Sequence, residues 1–190
     1  MATALIVIDV QKNILARPGG ERPVVLDRFD AVRARIAGLV DAARHADAPV
    51  IFIQHDGAQG HRLETGLPGW EICEDLGRVS SDTVVRKAAC DSFYETDLQS
   101  VLARQGITHL MIVGLMTQYC VDTTCRRAVS LGYDVTLVAD GHTTGDSGVF
   151  TVEQLVEHHN ALLDGFSAGA ATISVMPAKD VTFVHNGAAA

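Results

Sequence analysis

Short apolar runs alternate with longer amphipathic stretches along the chain. Six runs rich in Val, Ile and Leu are typical of strands that are buried on both faces of a sheet. They cover residues 4–8, 50–53, 83–85, 110–113, 135–138 and 172–175. Between them, apolar positions recur at helical spacing. One such set is Phe29, Val32, Ile36, Leu39, Val40 and Ala43, and another is Val152, Leu155, Val156, His159, Leu162, Leu163 and Phe166.

This alternation of strand and helix predicts the fold class. About six strand–helix repeats are too few for a closed barrel, which needs eight. We therefore expect an α/β fold with a three-layer, doubly wound sheet of about six parallel strands. In such a sheet, ligands bind beyond the carboxyl ends of the strands.

Local signals mark helix ends. A threonine followed three residues later by a glutamine predicts a capping box at a helix start, and a glycine after an apolar helical stretch predicts a helix end. The boxes are Thr96 with Gln99 and Thr151 with Gln154, and the glycines are Gly106 and Gly165.

The length of 190 residues predicts a single domain over residues 1–190. Residues 55–78 form a long, weakly periodic segment, which is typical of a loop at the rim of a pocket. Residues 186–190 are predicted to be a frayed tail.

Composition and charge narrow the class of protein. Apolar residues make up 47% and charged residues 20% of the chain, which excludes a disordered protein. The net charge of −8 argues against nucleic-acid binding. The first apolar run follows no basic residue and is cut short by Asp9, so we expect neither a signal peptide nor a membrane span, and a cytoplasmic location. Four cysteines are too few for a disulfide scaffold.

Three reactive side chains stand at predicted strand ends. Asp9 closes the first run, Lys87 follows the third, and Cys120 lies where the fourth strand passes to a helix. These ends converge in a doubly wound sheet, so the three residues can meet in one cleft. A thiol at a helix N-terminus beside an ammonium favours the thiolate, and a nearby carboxylate can exchange its proton.

Each of these residues has an ordinary alternative when it is taken alone. Asp9 could be a turn or helix cap, Lys87 a solvated surface lysine, and Cys120 a small buried apolar residue. The last interpretation is the one we prefer for Cys73 and Cys125. The case for catalysis depends on the combination of all three.

The segments around these residues resemble a known family. They read ALIVIDVQK around Asp9, VVRKAACDSFYET around Lys87, and IVGLMTQYCVDTTCRRAVSLGYDVTLVADGHTT around Cys120. From about residue 4 to residue 177, the chain resembles the isochorismatase-like cysteine hydrolases, which include nicotinamidases, N-carbamoylsarcosine amidases and isochorismatases. The most specific part is the Gly-x-x-Thr-x-x-Cys-Val core that ends at Val121.

The resemblance implies a catalytic triad of Asp9, Lys87 and Cys120 on a six-stranded parallel sheet with flanking helices. It also implies a cis peptide bond at Leu115–Met116. The backbone N–H groups of Met116 and Cys120 would form an oxyanion hole, in which one donor typically accelerates reaction roughly 10²- to 10³-fold.

The same resemblance suggests residues that line the pocket. His55, Gln118, Tyr119 and His142 occupy positions where the family contacts its substrate, although each could instead be satisfied by a local partner. Trp70 could be a wall for a substrate ring, an anchor for the rim loop, or a dimer contact.

One departure from the family concerns metal. Nicotinamidases carry an Asp-x-His element after the second strand that helps to hold a metal ion. Here residues 54–57 read Gln-His-Asp-Gly, and the next histidine is His61. This spacing does not fit that site, so we expect no metal and no cofactor; an unfamiliar histidine site is the alternative.

The sequence therefore predicts a metal-independent cysteine hydrolase that cleaves a C–N bond of a small amide, carbamoyl or ureido compound. An isochorismatase-type vinyl ether hydrolase is the first alternative, and a non-catalytic α/β binding or assembly module is the second. A redox protein is disfavoured because Cys120 and Cys125, five positions apart on one helix, point in different directions. We expect a small-molecule substrate, no nucleic-acid or membrane partner, and, from the resemblance, a dimer or tetramer.

Overall fold

The computed structural model describes residues 2–183, and within them a seven-stranded sheet forms the middle layer. The strands are β1 (Thr3–Ile8), β2 (Val50–His55), β3 (Thr83–Lys87), β4 (His109–Leu115), β5 (Asp134–Thr143), β6 (Ser167–Ala168) and β7 (Ala171–Met176). Their order in the sheet is β3-β2-β1-β4-β5-β7-β6. Neighbouring strands are parallel except for β6, which runs antiparallel to β7. The predicted fold class is confirmed, and the two-residue β6 is an addition too short for an apolar pattern to reveal.

Four α-helices cover the two faces of the sheet within the described residues. They are α1 (Pro23–His45), α2 (Leu98–Arg104), α3 (Asp122–Ser130) and α4 (Val152–Leu163). The central strand β1 is buried along its whole length, and its side chains alternate between two apolar clusters. Ile6 and Ile8 pack with α2 and α3, whereas Leu5 and Val7 pack with α1. This alternation produces the three layers that the sequence predicts.

The helical patterns agree with the observed burial, with one exception. Every apolar position listed above for α1 is buried, and so are the positions of α4 up to Leu163 apart from Leu162. Leu162 is 47% exposed because it lies off the stripe that contacts the sheet. Phe166 lies beyond the end of α4 and is half-buried.

One capping box is confirmed and the other is wrong. Thr151 and Gln154 exchange side-chain and backbone hydrogen bonds at the start of α4. Thr96 is not the cap of α2, which begins after Asp97. Its hydroxyl instead donates to the carbonyl of Ser92, 2.6 Å away. Gly106 and Gly165 adopt positive φ just beyond α2 and α4, as expected of residues that end a helix.

The order of the strands places a crevice at the middle of the sheet. The chain runs outward from β1 through β2 to β3, and then crosses back to β4 on the other side of β1. Ligands bind at such a switch point, beyond the carboxyl ends of the strands. Residues 56–82 connect β2 with β3 at this edge and contain two single 3₁₀ turns, Pro68–Trp70 and Glu74–Leu76. The predicted rim loop, residues 55–78, thus starts one residue later than expected, because His55 belongs to β2. The predicted tail at 186–190 lies outside the described residues.

No helix among residues 2–183 is long and apolar enough to cross a membrane.

Gly114 allows β1 and β4 to approach each other at the crevice. It pairs with Ile8 in the ladder and has φ +124°. A Cβ atom at this position would lie 2.1 Å from the carbonyl oxygen of Ile8, so any side chain here would push apart the two central strands beside Asp9.

We predict that Gly114→Ala lowers the free energy of unfolding by at least ~2 kcal/mol more than Gly132→Ala does. Gly132 also has positive φ, but a Cβ atom there meets open space, so its substitution reports backbone strain alone. Urea denaturation of both variants would measure the difference. Equal losses in the two variants would contradict the close approach of the strands.

Candidate active site

Asp9 stands directly after β1, with its backbone fixed in an unusual conformation. Its φ is +50°, its N–H donates to the carbonyl of Ile53 over 3.0 Å, and its own carbonyl accepts from the N–H of Gln11 over 2.9 Å. The residue is completely buried. A positive φ costs energy for a residue other than glycine, and such strain is common at functional sites.

Lys87 ends β3 and reaches Asp9 across the end of β2. Its Nζ atom lies 2.7 Å from Oδ2 of Asp9, and both side chains are fully buried. The ammonium also donates to the carbonyl oxygens of Ala89, at 2.8 Å, and Cys90, at 3.4 Å. Three oxygens thus surround the three protons of the ammonium, which keeps a buried charge satisfied.

Cys120 lies in a π-helical turn, Thr117–Val121, that links β4 to α3. The carbonyl of Met116 accepts from the N–H groups of Tyr119, at 3.0 Å, and Val121, at 3.3 Å. Cys120 is 8% exposed, and its thiol interacts with both Asp9 and Lys87. The peptide bond between Leu115 and Met116 is cis, as the resemblance implied. The structure therefore brings the three predicted catalytic residues together.

The electrostatics of this cluster differ from the expectation of a thiolate. Burial, followed by the negative charge of Asp9, raises the pKa of the Cys120 thiol, and the opposing effect of Lys87 is smaller. Burial also raises the pKa of Asp9. Burial disfavours the charged form of Lys87, but Asp9 and Cys120 together outweigh this and raise the lysine pKa. The expectation of a thiolate came from the helix N-terminus and the ammonium. Cys120 is instead enclosed and lies beside a carboxylate, and both effects favour its neutral thiol form.

His142 is buried and held by local partners, which favours the local alternative considered for it over a substrate contact. It is completely buried on β5, with Nδ1 2.9 Å from the hydroxyl oxygen of Thr117 and Nε2 2.9 Å from Oδ1 of Asn160. Burial lowers the pKa of His142 to about 4, so the ring is neutral near pH 7. The ring fixes the start of the turn that carries Cys120.

His55 ends β2, which lies between β1 and β3, and it faces the ion pair of Asp9 and Lys87. It pairs with Lys87 in the ladder, and burial lowers its pKa while the Asp9 carboxylate opposes that effect. Its ring centroid is 5.7 Å from that of His61. Its Nδ1 atom is buried and has no hydrogen-bond partner among residues 2–183, so it remains free to meet a substrate or a water molecule.

Trp70 is held by local partners. Its indole N–H donates to Oδ1 of Asp56 over 2.8 Å, and the guanidinium of Arg86 lies 4.7 Å from the ring centroid. Arg86 and Asp56 form an ion pair at 2.8 Å. These contacts favour the anchor among the three roles considered for Trp70.

Gln118 and Tyr119 line a cavity of about 520 Å³ beside the π-helical turn. Met116 lies on the same wall, and Arg62 of the rim loop places a guanidinium nitrogen 3.4 Å from its sulfur. The cavity therefore lies against the turn that carries Cys120.

Several contributors were not predicted from the sequence. Gln11 is completely buried and connects the ends of β1 and β2 to the rim loop. Its side chain donates to the carbonyls of His55, at 3.0 Å, and Trp70, at 2.7 Å, and accepts from the N–H of His55. The sequence signal that could have identified Gln11 was its position two residues after Asp9, within the segment ALIVIDVQK. Asn160 could not be recognised, because only the fold brings it to His142.

Metal binding and disulfide formation both depend on how the described histidine, cysteine and acidic side chains are arranged. Among residues 2–183, no group of three or more His, Cys, Asp or Glu side chains is arranged to hold a metal ion. All four cysteines are free thiols; Cys73 and Cys125 are buried, as interpreted, and Cys90 is exposed.

Comparison with known proteins identifies the relatives of this chain. An isochorismatase domain model matches residues 3–176. Streptothricin hydrolase of Streptomyces noursei is 37% identical over 145 residues, which cover 75% of this chain and 50% of that protein. The chain therefore spans about half the length of that relative. The isochorismatase family protein YddQ of Bacillus subtilis is 34% identical, over 76% of this chain and 79% of YddQ. Ureidoacrylate amidohydrolase RutB of Caulobacter vibrioides is 31% identical, over 75% of this chain and 78% of RutB.

Solved structures give the same picture. An isochorismatase from Pseudomonas putida KT2440 has a TM-score of 0.81 and 29% identity, covering 94% of this chain and 89% of the other. N-carbamoylsarcosine amidase from Thermoplasma acidophilum has a TM-score of 0.72 and 19% identity, covering 95% of this chain and 99% of the other. At that identity, the second likeness concerns the fold alone.

We predict that Asp9→Asn shifts the alkylation of Cys120 to lower pH by about one unit or more, because it removes the charge that opposes the thiolate and leaves Lys87 in place. Peptide mass spectrometry after iodoacetamide treatment over a range of pH would measure this shift. The exposed Cys90 in the same samples is the reference and should label equally in both proteins. A profile for Cys120 that stays in place, or moves to higher pH, would contradict the stated electrostatics.

Proposed function

Because the chain belongs to the isochorismatase family of hydrolases, we propose that it hydrolyses the C–N bond of a small amide, carbamoyl or ureido compound through a thioester on Cys120. The relatives named as amidohydrolase RutB and streptothricin hydrolase support hydrolysis as the reaction class.

The observation that carries the proposal is the buried ion pair of Asp9 and Lys87 beside the thiol of Cys120. A binding module would gain nothing from this arrangement, since a buried ion pair costs desolvation energy and is weak evidence for stability. A nucleophilic hydrolase needs all three groups: a thiol to attack, a base to take its proton, and a fixed positive charge to keep the base ionised.

The first half of the proposed reaction forms the thioester. Asp9 takes the proton of Cys120 as the sulfur attacks the carbonyl carbon of the substrate. The tetrahedral intermediate then collapses, the C–N bond breaks, and Asp9 returns the proton to the leaving nitrogen. Ammonia or an amine departs, and the acyl group stays on the sulfur.

The second half releases the acyl group. Asp9 takes a proton from a water molecule that attacks the thioester carbonyl, the C–S bond breaks, and the proton passes to the sulfur. Lys87 stays protonated throughout and stabilises the negative charge on its partners. The N–H groups of Met116 and Cys120 would donate to the oxyanion in both halves.

Cleavage of a vinyl ether is the competing reaction. It requires an acid and water but no covalent nucleophile, so it would leave the thiol without a role. The position of Cys120 against both charged residues therefore favours the C–N reaction.

We also expect a dimer or tetramer, which sizing by light scattering would test.

We predict that Cys120→Ala lowers kcat by roughly 10³-fold or more, because the acyl group then has no acceptor. The measurement is ammonia release from a panel of small amides, carbamoyl and ureido compounds. Cys90→Ala is the matched control, since it removes an exposed thiol from the same edge of the sheet and should leave turnover intact. Acid quenching of the wild-type reaction should trap an acyl adduct on the peptide that contains Cys120.

Turnover by Cys120→Ala within tenfold of wild type, measured with the fold verified by circular dichroism, would remove the thioester from the mechanism. Activity on vinyl ethers, with none on any amide, would favour the competing reaction.

A further inference from the structure

We propose that the cavity beside the turn that carries Cys120 selects substrates that carry a positively charged nitrogen, with Glu21 and Gln118 as the residues that accept its hydrogen bonds. The inference deepens the proposed function, on which it depends for the scissile amide, but the binding step can be tested without catalysis.

The cavity of about 520 Å³ has two walls of different origin. Met116, Gln118 and Tyr119 come from the turn that carries the nucleophile, and Glu21 and Gly145 come from the loops before α1 and after β5. A ligand that fills this space therefore contacts the nucleophile turn on one side and Glu21 on the other.

Glu21 is a buried carboxylate with an unused oxygen. Its side chain is only 5% exposed. Its Oε2 atom is buried and lacks a hydrogen-bond partner within the described part of the chain. Its Oε1 atom lies 3.4 Å from a guanidinium nitrogen of Arg17, at the long end of hydrogen-bond distances, and Arg17 is itself 47% exposed.

Gln118 offers a second unused acceptor to the same cavity. Its Oε1 atom is buried without a hydrogen-bond partner among residues 2–183. A buried acceptor without a donor is unfavourable, and the penalty is larger for a carboxylate than for an amide. A ligand that supplies N–H donors relieves both penalties, and a cationic ligand gains most because it also neutralises the carboxylate.

Three further features favour a cation. The backbone of Gly145 lies against Glu21, since a Cβ atom there would be 3.1 Å from Oε1, so the carboxylate is held in the wall of the cavity. Tyr119 is 52% exposed on the opposite wall, where the face of its ring can attract a positive charge. The net charge of −8 on the chain also raises the local concentration of cations.

Two arginines, Arg17 and Arg62, also line the cavity. Arg17 already pairs with Glu21, so Arg62 is the residue that would argue for an anionic substrate, and it is the weaker feature. Its guanidinium is exposed at the edge of the cavity, where water already satisfies it, so pairing with an anion gains little. Glu21 is shielded from water, so the energetic gain from a partner is greater there than at Arg62.

The test uses three small amides of similar length and different charge. They are 4-aminobutanamide, which is cationic near pH 7, pentanamide, which is neutral, and succinamic acid, which is anionic. Calorimetry measures their binding to the Cys120→Ala protein, and ammonia release measures their kcat/KM with wild type. We expect the cationic amide to exceed the neutral one by roughly tenfold or more in both measurements.

Glu21→Gln should reduce the ratio of cationic to neutral affinity to near one. Arg17→Gln, which removes the competing guanidinium, should raise the ratio and covers the case in which Glu21→Gln fails to fold. Glu157→Gln is the matched control, because it removes one carboxylate from the exposed side of α4 and should leave the ratio unchanged.

Equal affinity for the three amides, or a preference that survives Glu21→Gln, would overturn the inference. A preference for succinamic acid that is lost in Arg62→Gln would replace it with an anionic substrate. A charge preference in binding to Cys120→Ala without any turnover by wild type would support Glu21 while rejecting the proposed hydrolysis, so the two failures are distinguishable.

Discussion

The ion pair between Asp9 and Lys87 is the constraint around which the rest of the site is arranged. Two charges without access to water are costly to bury, and removing one partner of such a pair typically costs about 3–5 kcal/mol. The sheet makes the pair possible because the parallel strands β1 and β3 end at the same edge, separated only by β2. The backbone carbonyls of Ala89 and Cys90 complete the surroundings of the ammonium. The outward order of the first three strands is therefore a requirement of the chemistry as well as of the core.

The same burial sets the reactivity of Cys120. A resting thiolate beside the Asp9 carboxylate would place two negative charges together, so the thiol keeps its proton. A neutral thiol is also less susceptible to oxidation than a thiolate, so Cys120 is protected while no substrate is bound. Burial raises the pKa of Asp9 and makes it a stronger base, as the proposed proton transfer from Cys120 requires.

Sequence patterns predicted what depends on periodicity or on a motif, and missed what depends on a neighbour brought near by folding. The apolar runs correctly predicted six strands, because parallel strands that are buried on both faces are nearly continuous runs of apolar residues. The capping box at Thr96 failed because the hydroxyl found the carbonyl of Ser92 instead. The direction of the thiol pKa was missed because burial cannot be read from one segment. The choice between a substrate contact and a local partner for His142 could not be made from the sequence, because its two partners, Thr117 and Asn160, are 25 and 18 residues away.

In the proposed function, the residues that select a substrate are separated from those that carry the chemistry. The ion pair and the nucleophile belong to strand ends and to the turn after β4, whereas the opposite wall of the cavity comes from loops. One of these loops is fixed by the ion pair of Arg22 with Asp146, and the rim loop by that of Arg86 with Asp56. Neither pair touches Asp9 or Lys87 among the described contacts, so loop residues such as Glu21 can change without disturbing the buried charges. In the proposed function, this separation allows the loops to change while the buried residues stay the same; the relatives' names refer to substrates as different as streptothricin and ureidoacrylate.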